Sequence, residues 1–179
     1  MAQRFVQVQQ RICDTPCPME KDPRALYKQL ERTLLKAWRQ ERLMTPHHEV
    51  RALMKKTRES SGNVVIDGGQ RDLSRISDAG QFRRHDGGLF NFGVTVRQEK
   101  RGLEFVAYRF ELRLPQGSEP RFIRFDLNGP DRDNSERGIR CHLHPGHDDL
   151  LVPSALLAPV EILELFLYHL YLPERQRSK

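Results

Sequence analysis

The stretch LFNFGVTVRQEKRGLEFVAYRFELRL, residues 89–114, decides the fold. Its first part alternates, with Phe90, Phe92, Val94 and Val96 on one side of an extended chain. Lys100-Arg101-Gly102 then marks a turn. From Leu103 to Leu114 the period of two continues, with Leu103, Phe105, Ala107 and Arg109 set against Glu104, Val106, Tyr108, Phe110, Leu112 and Leu114. Two alternating runs joined by a short Gly-containing turn predict an antiparallel hairpin.

Downstream, Pro115-Gln116-Gly117-Ser118 supplies the next turn and Arg121–Leu127 a third strand. A polar loop over 128–138 leads to a short strand, Ile139–His144. Pro159–Leu172 then reads as a helix apolar on more than one side, which predicts deep packing against the sheet.

Upstream, Val64-Val65-Ile66 is another short β-type run, and residues 70–88 form a long polar, Gly-rich loop holding Arg83-Arg84-His85. Asp22 and Pro23 open a helix as cap and first residue. Leu26, Leu30, Leu34 and Trp38 run along it at helical spacing. Thr45-Pro46 opens a second helix, expected over His47–Arg58 and ended by Ser60-Ser61-Gly62-Asn63. Before these lies a short leader with an alternating Phe5-Val6-Gln7-Val8 segment. The expected architecture is α+β: an N-terminal helical pair, an antiparallel meander sheet of four or five strands, and a C-terminal helix packed on the sheet. Residues 1–62 form a basic helical extension, and 63–179 the sheet-plus-helix domain.

Charge follows this division. The chain of 179 residues carries a net +6. Residues 1–62 hold 13 Lys/Arg against 7 Asp/Glu, so the entire excess lies there, and the remainder is balanced. A basic helical pair is a candidate grip on a polyanion. Lys55, Lys56 and Arg58 are its candidate phosphate contacts. Three cysteines, Cys13, Cys17 and Cys141, make an odd, low count, which points to a reducing cytoplasm rather than a disulfide framework. No 18-residue apolar run predicts a membrane span, and Met1–Asp14 lacks the apolar core of a secretory signal.

The chemistry-bearing text is Cys141-His142-Leu143-His144-Pro145-Gly146-His147-Asp148-Asp149. It packs three of the seven histidines into six residues. Alternation along a strand puts His142 and His144 on one face and Cys141 and Leu143 on the other. On the preceding strand Arg124 and Asp126 share a face, opposite Ile123, Phe125 and Leu127. A simple meander therefore brings Arg124 and Asp126 beside the histidines.

Three uses of such a set are open. One is a divalent metal held by His142, His144 and His147 with Asp126, Asp148 or Asp149. Another is metal-free acid–base work by His142 and His144, with His147 and Asp126 assisting and Arg124 and Arg140 holding phosphate; this suits RNA cleavage by the internal 2′-OH. The third is structural, the histidines being polar strand and turn residues with their hydrogen bonds met. No certain cofactor follows from the residues alone.

Tyr108-Arg109-Phe110-Glu111-Leu112, then Arg124-Phe125-Asp126, a polar loop, His142-Leu143-His144 and a closing apolar helix resemble the TumE-like small toxins of prokaryotic toxin–antitoxin systems. The resemblance covers the later half of the chain. It implies a toxin-like ribonuclease neutralised by an antitoxin partner. The basic residues ahead of that half, and the long 70–88 loop, depart from the pattern. They motivate the alternative expectation, a non-catalytic nucleic-acid-binding or assembly subunit working through the basic helices.

Overall fold

A computed structural model describes residues 20–70, 80–137 and 139–170. The expected strand at Phe5–Val8 and the thiols Cys13 and Cys17 lie outside these residues. The elements are α1 (Pro23–Arg39), α2 (His47–Leu53), β1 (Met54–Arg58), β2 (Val64–Gly68), β3 (Phe82–Arg83), β4 (Leu89–Glu99), β5 (Gly102–Arg113), β6 (Phe122–Leu127), β7 (Cys141–Pro145), β8 (Val152–Pro153) and α3 (Pro159–Glu164). A π-helical turn, Leu165–His169, extends α3.

The eight strands form one antiparallel sheet in the order β1-β2-β4-β5-β6-β7-β8, with β3 paired to the start of β4. That is more strands than the four or five expected. The largest difference lies at β1. The helix expected to run to Arg58 stops at Leu53, and Met54–Arg58 pairs with Val64–Gly68 instead. Ser60–Asn63 is therefore a hairpin connection, with Gly62 at φ +87°, and not a helix end. The pairing gives partners to backbone groups that a continued helix would have left unmet along the edge of β2. Local helix preference in Lys55–Arg58 yields to that tertiary gain.

Asp22 caps α1 as expected, accepting from the backbone N–H groups of Arg24 and Ala25 at 2.8 and 2.9 Å. The α1 stripe Leu26, Leu30 and Leu34 is fully buried, in the same core as Phe90, Phe92, Phe110 and the α3 residues Ile162 and Leu163. Trp38, expected to continue that stripe, is exposed and stacks near His47. Phe82, Phe92 and Phe110 lie ring over ring across neighbouring strands at the centre of the core. Gly68 of β2 is obligatory there, because a Cβ on it would meet Cζ of Phe92 at 2.2 Å.

One irregularity sets the parity of the sheet. Thr95 pairs with Ala107, but Val96 pairs with Phe105, so Val106 is an extra residue in β5. Phe105 thus shares the core face with Tyr108, Phe110 and Leu112. Ala107, Arg109, Glu111 and Arg113 turn to the opposite, outer face.

Arg84, placed by the sequence in the polar loop over 70–88, is drawn into the fold. It is buried, grips Asp86 with Nε and Nη2 at 3.1 and 2.5 Å, and donates from Nη1 to the Phe166 carbonyl at 2.6 Å. It thereby ties the loop before β4 to the π-helical turn, where the Leu170 N–H reaches back to the Leu165 carbonyl. Among the described residues, no helix is long and apolar enough to cross a membrane.

Candidate functional site

The outer face of β5, β6 and β7 carries polar residues in cross-strand rows. Arg109 lies opposite Asp126, and Asp126 opposite His142. In the next row Glu111 lies opposite Arg124, and Arg124 opposite His144. Charges of opposite sign are thus neighbours both along and across the strands, the favourable arrangement for a sheet surface. Arg124 and Asp126 share the outer face, as their alternation predicts, and the register sets them directly opposite His144 and His142.

Burial is where the site departs from expectation. His142 and His144 are each only 3 % exposed, although they occupy the face away from the helices. The segment after β6 folds over that face: the Cα of Gly129 approaches so closely that a Cβ there would contact the Ala107 methyl at 3.6 Å. Between this segment and the sheet lies an open cleft of about 600 Å³, bordered by Arg109, Arg132, Asn134 and Leu151, with Asp126, His142 and His144 at its base.

At the base three donor groups converge. Nε2 of His144 lies 3.3 Å and Nε2 of His142 3.7 Å from the same oxygen, Oδ2 of Asp126. The imidazole centroids are 4.8 Å apart and the rings nearly perpendicular. Nδ1 of His142 faces the Ile139 carbonyl at 2.8 Å, so that nitrogen carries the proton and donates it to the carbonyl. In the neutral ring, Nε2 is then the lone-pair nitrogen, turned towards the carboxylate. Nδ1 of His144 is buried without a hydrogen-bond partner. The His147 backbone lies close to that ring without reaching hydrogen-bond geometry.

Burial and neighbouring charges of both signs act on the cluster. Burial, and then the charge of Arg124, push the His144 imidazolium below its usual pKa; the Asp126 carboxylate and the nearby His147 backbone oppose this, and His142 adds to it. Arg124 donates from Nε to Asp126 Oδ2 at 2.7 Å and from Nη1 to Asp148 Oδ1 at 2.5 Å. Burial alone would weaken its charge, but hydrogen bonds and charge from Asp126 and Asp148 outweigh that and raise its pKa. Asp148 in turn is lowered, first by the Arg124 hydrogen bond.

The remaining predicted residues scatter. His147 is 69 % exposed in the turn after β7, where its Nδ1 accepts from the Asp149 N–H at 3.2 Å. Asp148 reaches the cluster only through Arg124. Arg140 precedes β7, donating to the Asn128 carbonyl at 3.4 Å and facing Asp133 at 3.8 Å. Lys55, Lys56 and Arg58 stand exposed on β1, at the sheet edge opposite to β8.

Two participants were not singled out from sequence. Arg109 borders the cleft and holds Glu111 at 2.6 Å; Glu111 is buried between Arg109 and Arg113. Their shared parity was the available signal, and the extra residue Val106 obscured it. Arg132 belongs to a loop with no periodicity to read. The arrangement can do two things chemically: the three donors can share a proton, or they can ligate a cation. No family model, curated protein or solved structure matches the chain.

Proposed function

We propose that the outer face of β5–β7 is a toxin-like ribonuclease centre, in which Asp126, His142 and His144 activate the 2′-OH of an RNA strand and Arg109 and Arg132 hold the phosphate. The observation that carries this reading is the convergence of two imidazoles and a carboxylate at the base of a cleft with arginines on its rim. Buried groups of this kind cost stability unless paired, and two buried imidazoles meeting one carboxylate oxygen form a candidate centre. The toxin-like character, and the antitoxin partner that goes with it, rest on the resemblance of the later half of the chain.

In this reading the two imidazoles act together. Both imidazole edges meet one carboxylate oxygen, so they serve a single substrate atom and not the two ends of an in-line displacement. That atom is the attacking 2′-oxygen. Its proton passes to the centre, the 2′-oxygen bonds to phosphorus, and the 5′-oxygen departs with a proton from water. Arginines beside the phosphate stabilise the charge that develops.

Steady-state cleavage of a short single-stranded RNA by the full chain tests this. Arg109→Gln and Arg132→Gln should chiefly raise KM, whereas His142→Ala should chiefly lower kcat. Equal effects of all three on kcat, or none, would contradict the assignment.

A second reading is favoured by one observation. Lys55, Lys56 and Arg58 are exposed on an edge strand far from the cleft, where a polyanion can lie without meeting the histidines. In that reading the chain binds nucleic acid and does not cut it.

A further inference from the structure

We propose that Asp126, His142 and His144 bind one divalent transition-metal ion. The proposal uses the same three residues as the cleavage reading but stands whether or not RNA is the substrate; with the Nε2 lone pairs engaged by an ion, the imidazoles would hold the ion and no longer take the 2′-OH proton themselves.

The first ground is an unmet polar demand. The Ile139 carbonyl accepts a hydrogen bond from His142 Nδ1, so in the neutral ring the Nε2 lone pair faces the Asp126 carboxylate, whose Oδ2 is 3.7 Å away and has Arg124 Nε as its donor. Nε2 of His144 lies 3.3 Å from that oxygen, and its buried Nδ1, on the other edge of the ring, is turned to the His147 backbone. Asp126 Oδ2 already accepts from Arg124 Nε at 2.7 Å, so the unmet demand is that of the two Nε2 atoms at 3.3 and 3.7 Å from it, and a cation between the three would engage both.

The second ground is spacing. All three donor atoms lie within 4.8 Å of one another. Ligands about 2.0–2.2 Å from a tetrahedral ion stand roughly 3.3–3.6 Å apart. The separations of 3.3 and 3.7 Å fall close to that edge length and away from hydrogen-bond lengths.

The third ground is support and charge. Hydrogen bonding of His142 to a backbone carbonyl is the outer contact that orients a ligating imidazole. Arg124 orients the Asp126 carboxylate, and Asp148 neutralises Arg124. That leaves the Asp126 carboxylate as the anionic ligand, with Arg109 and Arg132 standing further out on the cleft rim. Two imidazoles and one carboxylate suit zinc, manganese, iron or nickel, whereas calcium and magnesium prefer oxygen donors throughout. Three protein ligands with one side towards a cleft leave a position for water or substrate, which is the pattern of catalytic rather than structural metal sites.

The test is calorimetric titration of Zn²⁺ into the full chain after chelator treatment. One ion per chain should bind saturably. Asp126→Asn and His144→Gln, each checked for an unchanged unfolding midpoint, should weaken it at least about 100-fold. If those variants fail to fold, the visible spectrum of the Co²⁺-loaded wild-type chain decides instead: the strong bands of a four- or five-coordinate site support the proposal, and the faint bands of octahedral Co²⁺ contradict it. Absence of saturable Zn²⁺ binding overturns the proposal, as does binding that survives both substitutions and so belongs to other histidines. Binding without RNA cleavage upholds the metal site and removes the ribonuclease reading. Cleavage that persists in a chain unable to bind Zn²⁺ does the reverse.

Discussion

Asp126 and His142 are register partners on β6 and β7, with Oδ2 and Nε2 3.7 Å apart on the face away from the helices. Backbone pairing alone brings these two together. His144 joins them because it is two residues further along the same strand, and Arg124 because it is two residues before Asp126. A site built from alternate positions of two paired strands is rigid, since moving one member means breaking the ladder.

The packing of β2 on β4 depends on Gly68. Gly68→Ala should destabilise the fold by about 1–3 kcal/mol, because the new methyl collides with a Phe92 ring held between Phe82 and Phe110. Denaturant unfolding of Gly68→Ala, Phe92→Leu and the double variant measures it. The double variant should recover part of the loss, giving a favourable coupling energy; strict additivity would show that the collision is not the cause.

Arg84 should prove structural. Replacing it with Met leaves the Phe166 carbonyl without its donor and Asp86 without its guanidinium, at a cost of roughly 2–4 kcal/mol. Urea midpoints check this, with an unchanged slope expected. A loss below about 0.5 kcal/mol would return Arg84 to the role of a surface cation.

Asp148 offers a pH signature. Its folded pKa lies below the ordinary value of 3.8 because Arg124 donates to it. A carboxyl lowered on folding contributes stability that is fully present above its unfolded value and is lost as pH falls through the folded one. Since Asp148 is 71 % exposed, Asp148→Asn should cost less than about 1 kcal/mol at neutral pH. The gap between wild type and variant in thermal melts should close in acid. A gap that widened as pH fell would contradict the pairing.

The basic edge strand separates gripping from cutting. Changing Lys55, Lys56 and Arg58 to Gln should leave kcat for a short RNA unchanged. If a bound strand extends to β1, the salt slope of binding should fall by about 2, at about 0.7 per phosphate contact on a single strand. Loss of kcat in this variant would place the chemistry elsewhere than the cleft.

Much of this architecture was legible in alternation. Phe90 to Val96, and Arg124 with Asp126 against Phe125, declare their faces without help from the rest of the chain, and His142 and His144 follow by parity. What could not be read depends on distant partners. Lys55–Arg58 becomes a strand only because β2 presents an open edge, and Val106 becomes a bulge only because β4 sets the opposite register. Burial of the histidines requires the aperiodic segment after β6 to fold back over Ala107. The long loop with Arg83-Arg84-His85 looked solvated, yet Arg84 is drawn inward by a carbonyl on a helix 82 positions away.

The central claim is that the Asp126–His142–His144 centre breaks RNA. It is tested most directly by the time course of cleavage of a 5′-labelled single-stranded RNA by the full chain and by a His142→Ala, His144→Ala variant of matched unfolding behaviour. The wild-type chain should shorten the RNA, and the variant should do so about 10²–10⁴ times more slowly. Equal rates for the two, or no cleavage by the wild-type chain while it binds the RNA in a salt-sensitive manner, would contradict the account.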